Sequence, residues 1–124
     1  MFASPVINHL VGADRPVDMR PNWTSHPTFA GVRLARLVGP AESGGALTTL
    51  LVSLAPHARM EPHRHERQTE QHLVLAGHGR MTLQEGEQDY EPGTLVVIAE
   101  GKEHSVAAAE DGMMLLAVFT PASA

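Results

Sequence analysis

The sequence predicts an all-β domain, built as a sandwich or a barrel, from three observations. Short apolar segments rich in β-formers run from residue 31 to residue 119, some alternating with polar residues and some continuous. Turn signals containing Gly or Pro separate these segments roughly every eight to twelve residues, which is typical of a sandwich or barrel. No segment carries a helical pattern long enough to be stable. With 124 residues, the chain is long enough for one domain and short for two.

The N-terminal segment, residues 1–28, is expected to be irregular. It contains four prolines and only short apolar pieces. Within it, residues 17–24 are a candidate edge or interface strand, because Pro21 suits a strand that lacks a neighbour on one side. The barrel itself is assigned to residues 29–120.

The predicted strands follow in order along this barrel. Alternation begins at Val32, and every second residue as far as Val38 shares one face. Residues 39–45 are a loop by composition. Segments 47–54 and 113–119 are apolar on both faces, so a second sheet or a second subunit must cover them. The remaining predicted strands are 71–76, 80–84, 88–91, 95–99 and 105–108, with turns that include 77–79 and 110–112.

Composition excludes several classes of protein. The chain has no cysteine, which excludes disulfides, thiolate zinc sites and cysteine nucleophiles. The net charge is −5 and the nine Lys and Arg residues are scattered, so no nucleic-acid-binding surface is expected. No signal peptide or membrane-spanning stretch is recognisable, and a soluble cytoplasmic protein is therefore expected.

The chemistry is concentrated in the stretch PHRHERQTEQHLVLAGHG. His63 and His65 project to the same side of an extended chain, since residues two apart do so. Glu70 and His72 share one face at the head of an apolar strand, where burial without a partner is costly. Imidazole and carboxylate groups together suit a first-row divalent metal. His104 follows a Gly-containing turn after another apolar strand. We therefore expect it at the end of a strand, in a position like that of the first His and Glu cluster.

Two other interpretations of this stretch must be weighed. An H-x-H pair such as His63 and His65 also occurs in solvated polar loops. The letters HERQTEQH come close to the helical H-E-x-x-H motif of zinc proteases, but Thr69 stands where the second His is required. The neighbouring strand periodicity also disfavours a helix, and the shared metal site is therefore favoured.

The same stretch resembles the first motif of the cupin family, G-x5-H-x-H-x(3,4)-E-x6-G. His57 stands where the opening Gly is usual. We interpret it as a surface residue that accepts the backbone geometry of that Gly or reflects a changed turn. The rest of the motif is matched, with permitted spacing, at His63, His65, Glu70 and Gly77.

The second cupin motif, G-x5-P-x-G-x2-H-x3-N, is present in a degenerate form. Gly101 and His104 match it with the correct spacing. Ala99 and Ala108 replace its Pro and its Asn, and these changes concern turn geometry more than metal binding. The resemblance covers about residues 46–119.

The resemblance implies a double-stranded β-helix, the jelly-roll-like barrel of the RmlC-like cupin superfamily. Within it, the chain is similar to the small single-domain cupins (cupin 2) that are quercetin-dioxygenase-like. Cupins of this size commonly form homodimers, and the N-terminal segment is expected in that interface. The family also implies one bound metal, with the ligands His63, His65, Glu70 and His104.

Further residues are candidates for a substrate pocket. His72 is either a general acid or base or a hydrogen-bonded interior group that supports the ligands. Arg36 would bind a substrate carboxylate if it points inward, and otherwise it is displayed at the surface. Strand parity predicts that the apolar lining consists of Val74, Met81, Leu83, Val96 and Ile98.

Two functions remain open for such a site. The first is a small enzyme that depends on one divalent transition metal, which would be Fe, Mn, Ni, Zn or Cu. It would act on a small oxygenated substrate that chelates the metal, by oxygenation or by isomerisation, cyclisation or lyase chemistry. The second is a non-catalytic cupin that binds or senses a small ligand through its metal.

Overall fold

The computed structural model describes residues 21–123, and strands make up most of that range. The all-β prediction is confirmed, and the helix α1 is a single turn. None of the helical structure in this range is long and apolar enough to cross a membrane. In chain order the elements are β1 Thr24–Ser25, β2 Val32–Val38, α1 Pro40–Ser43, β3 Thr48–Leu54, β4 Arg59–His63, β5 Thr69–Leu83, β6 Gly86–Tyr90, β7 Leu95–Ile98 and β8 His104–Thr120.

The two longest strands, β5 and β8, organise the fold. They form an antiparallel ladder that runs from Thr69 opposite Thr120 to Leu83 opposite His104. The first part of β5 also pairs with β7, and its last part pairs with β6. The first part of β8 pairs with β4, and its last part pairs with β3, which continues through β2 to β1. Two sheets, β1-β2-β3-β8-β5-β7 and β4-β8-β5-β6, therefore share the long strands, as expected of the predicted double-stranded β-helix.

The long strands bend where they pass from one sheet to the other. The register of β5 shifts over residues 74–79, and φ is positive at Gly77 (76°) and Gly112 (70°). A Cβ atom on Gly77 would lie 2.1 Å from the carbonyl oxygen of Gly112, so this close crossing requires glycine. The turns predicted at 77–79 and 110–112 are therefore wrong. These glycines make a bulged bend within a continuous strand instead of reversing the chain.

Smaller differences concern the segments around the barrel. The predicted loop 39–45 contains α1, and the link before the His motif contains β4. β6 begins two residues before the predicted start at 88. The first half of the candidate edge strand 17–24 lies outside the described residues, and in the other half only Thr24 is in a strand, paired with Leu34 of β2. The division of the chain at residue 28 remains a prediction.

Apolar clusters cover both faces of the central strands. The interior cluster includes Leu115 and Tyr90, and it joins residues from both sheets. A second cluster packs on the opposite face around Leu51 and Met114, where Trp23 contacts it. Met114 and Leu115 are neighbours in β8 that belong to different clusters, so segment 113–119 has apolar contacts on both faces, as its sequence predicts.

Candidate metal centre

The four residues that the sequence predicts as metal ligands lie together where several strands end. His63 ends β4 and is paired with His104, which begins β8. Glu70 is the second residue of β5, the strand next to β8. His65 lies in the connection between β4 and β5, where its carbonyl oxygen accepts a 2.8 Å hydrogen bond from the N–H of Gly101. Three different strands and one anchored loop thus bring the four side chains to one place.

Among these side chains, the three imidazoles lie close enough to share one ion, and Glu70 is close to two of them. The ring centroids of His63 and His104 are 4.3 Å apart, and those of His63 and His65 are 5.3 Å apart. One ring nitrogen from each of the three imidazoles lies within 4.8 Å of the others. The Oε1 atom of Glu70 is 3.2 Å from Nε2 of His104 and 3.6 Å from Nε2 of His65.

Backbone carbonyls set the orientation of two of these imidazoles. Nδ1 of His63 donates to the carbonyl oxygen of Glu61 at 2.7 Å, and Nδ1 of His104 donates to that of Lys102 at 2.9 Å. A carbonyl oxygen can only accept, so Nδ1 carries the proton in each neutral ring. Both Nε2 atoms therefore keep a lone pair, which is the arrangement that metal-ligating histidines usually have.

Two buried polar atoms at this place have no hydrogen-bond partner among the described residues. They are Oε1 of Glu70 and Nε2 of His104. The two atoms are 3.2 Å apart, but their relative orientation does not satisfy the geometry of a hydrogen bond. When the His104 ring is neutral, both atoms are acceptors, and they face each other without a proton between them. Leaving such atoms unpaired in the interior is costly. A divalent cation would accept both lone pairs, and the donor set of three imidazoles and one carboxylate fits a first-row transition metal.

His72 could be considered as a ligand in place of His63 and His65, since Glu70, His72 and His104 also form a compact group. Both of its ring nitrogens are already engaged, however. Nε2 lies 2.8 Å from Oε2 of Glu70, and Nδ1 lies 2.9 Å from the hydroxyl of Tyr90. The ionised carboxylate only accepts, so Nε2–H donates to Glu70 and Nδ1 of the neutral ring accepts from Tyr90. His72 therefore supports Glu70 and leaves Oε1 of that residue free.

Electrostatics keep most of the ligand atoms deprotonated. Burial alone would raise the pKa of the Glu70 carboxyl, but the adjacent imidazoles of His104 and His72 outweigh it and hold that pKa well below its ordinary value. Burial lowers the pKa of His63 and of His65. Burial would also lower the pKa of His104, but the neighbouring Glu70 carboxylate raises it above the ordinary value. Of the four candidate ligands, His104 is therefore the one that most readily carries an extra proton, which a metal ion would have to displace.

A cavity of about 220 Å³ lies beside these residues. Its polar part includes His63, His65 and Glu70, and the remaining wall is mostly apolar. The volume is below the roughly 300–1,000 Å³ of pockets for drug-sized ligands. The cavity therefore suits a small molecule that places polar atoms at the metal centre and hydrocarbon against the wall. The apolar side chains that line it are Phe29, Leu34, Leu50, Val52, Met60 and Phe119.

The residues that strand parity predicts as pocket lining lie elsewhere. Arg36 is exposed near the end of β2, where its guanidinium is close to Gly39, and it does not face the cavity. The five apolar residues predicted with it are also absent from the cavity wall. They are packed in or against the barrel core, and they are Val74, Met81, Leu83, Val96 and Ile98.

This correction has a simple cause. The parity predicted for β5 is right, because Glu70, His72 and Val74 are all buried. Most of the apolar residues in the cavity wall, however, belong to β2, β3 and β4. The spacing of residues within β5 does not indicate which other strands face the cavity. Two further lining residues, His26 and Phe29, belong to the loop between β1 and β2. No periodicity or motif in the sequence marks these two residues.

His57 is exposed, as the sequence predicts, and it adopts a positive φ of 62°. Non-glycine residues rarely adopt this conformation. The backbone at the position of the missing motif glycine thus keeps the geometry that glycine usually supplies.

A family model described as a cupin domain matches residues 50–120. The matched span contains His72 and all four predicted ligands, and it leaves out His26 and Phe29. No curated protein matches the chain in sequence.

Solved structures share the fold at low sequence identity. KdgF from Halomonas sp. aligns with a TM-score of 0.73 and 20% identity, over 82% of this chain and 89% of that one. A predicted oxalate decarboxylase from Thermotoga maritima aligns with a TM-score of 0.72 and 21% identity, over 94% and 99% of the two chains. The polyketide cyclase RemF from Streptomyces resistomycificus aligns with a TM-score of 0.70 and 18% identity, over 83% and 75%. At these identities the likeness concerns the fold alone.

Proposed function

The chain belongs to the cupin family, and from this premise we propose that it is a small metal-dependent enzyme whose substrate chelates the metal through oxygen atoms. The observation that carries the proposal is the pair of buried, unpartnered atoms, Oε1 of Glu70 and Nε2 of His104. A bound cation gives both atoms a partner, whereas in the metal-free cluster they face each other unpaired unless His104 takes up a second proton, which the Glu70 carboxylate favours.

In this proposal, the ion is Fe, Mn, Ni, Zn or Cu, and His63, His65, Glu70 and His104 hold it. When bound, it supplies Lewis-acid polarisation and, if it is redox-active, chemistry with dioxygen. With four protein ligands, such an ion would still be able to bind oxygen atoms of the substrate or a second small molecule. The apolar wall excludes water from the substrate and packs against its hydrocarbon part.

Among the reaction classes open to such a site, oxygenation is supported best. Isomerisation, cyclisation and lyase chemistry usually require a protein group that moves a proton. His72 is the obvious candidate in the cavity wall, but both of its nitrogens are hydrogen-bonded within the protein. His26 also lines the cavity, but two backbone N–H groups occupy its Nδ1 and leave it no free basic nitrogen. No lysine or aspartate lines the cavity in the described part of the chain. We therefore assign His72 the role of positioning Glu70, and we place the reactivity at the metal.

The alternative is a cupin that binds or senses a small ligand without converting it. The same shortage of free acid–base groups in the cavity wall favours it. The names of two similar structures, a predicted oxalate decarboxylase and a polyketide cyclase, denote enzymes and support a catalytic function in general, although neither name denotes an oxygenase. Turnover decides between the two functions, since both require the metal.

The first test is elemental analysis of the protein purified without added metal or chelator, beside the double variant His63→Ala/His65→Ala. We expect about one transition-metal ion per chain in the natural protein and a large loss in the variant, because two of four ligands are removed. Oxygen uptake is then measured with catechol and β-diketone substrates. Failure to bind any of the five ions after reconstitution would contradict the metal centre. A bound metal with ligand affinity but no turnover would favour the binding protein.

We also propose that the chain forms a homodimer. Leu95 and Val97 of β7 are 59% and 62% exposed, and Leu75 of β5 is 44% exposed. Leu95 is paired with Leu73 of β5, so these side chains form an apolar stripe on the outer face of one sheet. Burial of this stripe against a second copy would remove it from water.

A further inference from the structure

We propose that His26 is a substrate-recognition residue, and that its Nε2–H donates a hydrogen bond to a neutral oxygen at the end of the substrate remote from the metal. The proposal rests on the proposed function, and it adds a second polar contact that selects the substrate. It concerns a residue outside the span matched by the cupin domain.

The loop that contains His26 determines which of its nitrogens carries the proton. Nδ1 accepts hydrogen bonds from the backbone N–H groups of Thr28 at 3.0 Å and Phe29 at 3.1 Å. An acceptor nitrogen is unprotonated, so the proton of the neutral ring is on Nε2. Burial lowers the pKa of His26, which also favours the neutral ring. His26 is therefore a neutral donor with a fixed tautomer.

The same loop holds this donor beside the metal centre. The backbone N–H of His26 donates to the carbonyl oxygen of Val32 at 2.8 Å, which ties the loop to β2. The ring of His26 stacks on Phe29 with the centroids 4.5 Å apart, and Phe29 lies 5.7 Å from His63. All three rings line one cavity. His26 and the metal ligands are thus polar groups of a common wall, with Phe29 between them.

The remaining wall limits what can bind there. Apart from the metal-centre residues and His72, its polar members are His26 and Ser123, and no Lys or Arg of the described residues lines it. A second carboxylate on the substrate would have no cationic partner, and its burial would be costly. The favoured substrate class therefore has chelating oxygens at one end, a short hydrocarbon middle, and a carbonyl, ether or hydroxyl oxygen at the other end.

The test compares two probes that differ only in a distal ketone, 2-oxohexanoate and 2,5-dioxohexanoate. Both present the same chelating carboxylate and 2-oxo group. Their binding to protein reconstituted with Co²⁺ is measured by titration of the visible absorption spectrum. We expect the natural protein to prefer the dioxo acid by about three- to tenfold, since one extra neutral hydrogen bond contributes on that order.

Two substitutions separate the functions of the two ring nitrogens. His26→Asn keeps an acceptor near the position of Nδ1 for the loop and removes the distal donor. We expect it to abolish the preference for the dioxo acid while the Co²⁺ content stays unchanged. The preference is a ratio of two affinities, so an equal change in the binding of both probes cancels. His26→Gln places an amide N–H near the position of Nε2, and we expect it to retain a preference. His78→Asn, at an exposed histidine bonded to Asp111, is the matched control.

Several outcomes would overturn the role of His26. One is equal affinity of the natural protein for both probes, and another is a preference that survives in His26→Asn. Loss of the preference in Ser123→Ala, with its retention in His26→Asn, would assign the donor to Ser123 instead. Each of these results is obtained on protein that contains Co²⁺, so failure of the metal centre, seen as absence of bound Co²⁺, is distinguished from failure of this inference.

Discussion

Individual imidazoles at the metal centre differ in what their hydrogen bonds leave free. Backbone carbonyls take the Nδ1–H groups of His63 and His104, which frees Nε2 of each ring for a metal. His72 has no free nitrogen, because Tyr90 and Glu70 use both. In His26 the backbone uses Nδ1 and leaves a donor at Nε2. These four histidines thus have three chemical roles, since His63 and His104 share one.

The hydroxyl of Tyr90 is predicted to increase the affinity for the metal, because it acts on Glu70 through His72. Tyr90→Phe removes the donor that fixes the His72 tautomer, so the imidazole no longer holds Oε2 of Glu70 in one arrangement. We expect metal affinity to fall about tenfold, at the lower end of the effect of losing an outer hydrogen-bond partner. Competition with a chromophoric chelator measures it.

The control for Tyr90→Phe is Met81→Leu, a substitution of similar volume in the same interior cluster. It changes packing without touching the hydrogen-bond chain, and its metal affinity is expected to match that of the natural protein. A folded Tyr90→Phe protein with the same metal affinity as this control would contradict the role given to Tyr90.

At the scale of elements, the bend shared by β5 and β8 depends on a close backbone crossing. Gly77→Ala would place a Cβ atom 2.1 Å from the carbonyl oxygen of Gly112, at a backbone φ of 76°. We expect a loss of about 3 kcal/mol or more in the free energy of unfolding, since the strands must separate as well as adopt a strained φ. Urea denaturation measures this loss.

Gly44→Ala provides the comparison for this crossing. Gly44 also has a positive φ, 62°, but a Cβ atom there would meet nothing within 4 Å. Only the conformational cost of about 1–2 kcal/mol is expected. Equal losses in the two variants would show that the crossing of the strands adds nothing to the requirement for glycine at residue 77.

At the scale of the whole molecule, the apolar stripe on β5 and β7 predicts self-association. The double variant Leu95→Lys/Val97→Lys is expected to convert a dimer into a monomer, because charges replace the apolar surface that the interface would bury. Light scattering after size-exclusion chromatography measures the mass. Gln84→Lys, at an exposed position in the turn between β5 and β6, serves as the control for added charge.

Deletion of residues 1–28 tests whether the N-terminal segment contributes to the same dimer interface, as we expect. We expect the dimer to weaken or dissociate. A natural protein that is monomeric, or a Lys double variant that remains dimeric, would contradict the role of the stripe. An unchanged dimer after the deletion would contradict the role of the segment alone.

Much of the candidate metal centre is predictable from the sequence. His63 and His65 are two apart before a strand, and strand parity places Glu70 on the buried face of that strand. His104 joins the predicted group through the resemblance to the second cupin motif, since no local spacing connects it to the other three residues. The all-β class follows from the same short-range information, since alternation and turn residues recur along the chain. The predicted turn at 77–79 failed because glycine marks both a reversal and a bulged bend, and only the pairing with Gly112 distinguishes them.

The sequence by itself therefore determined the fold class and the group of residues that can share a metal. The tertiary structure alone decided which strands wall the cavity, why His72 is engaged by Tyr90, and that His26 joins the site. These features depend on contacts between residues far apart in the chain, on backbone groups that fix each imidazole tautomer, and on the register of neighbouring strands. Local residue patterns do not predict such contacts, because the partner in each case lies on a different element.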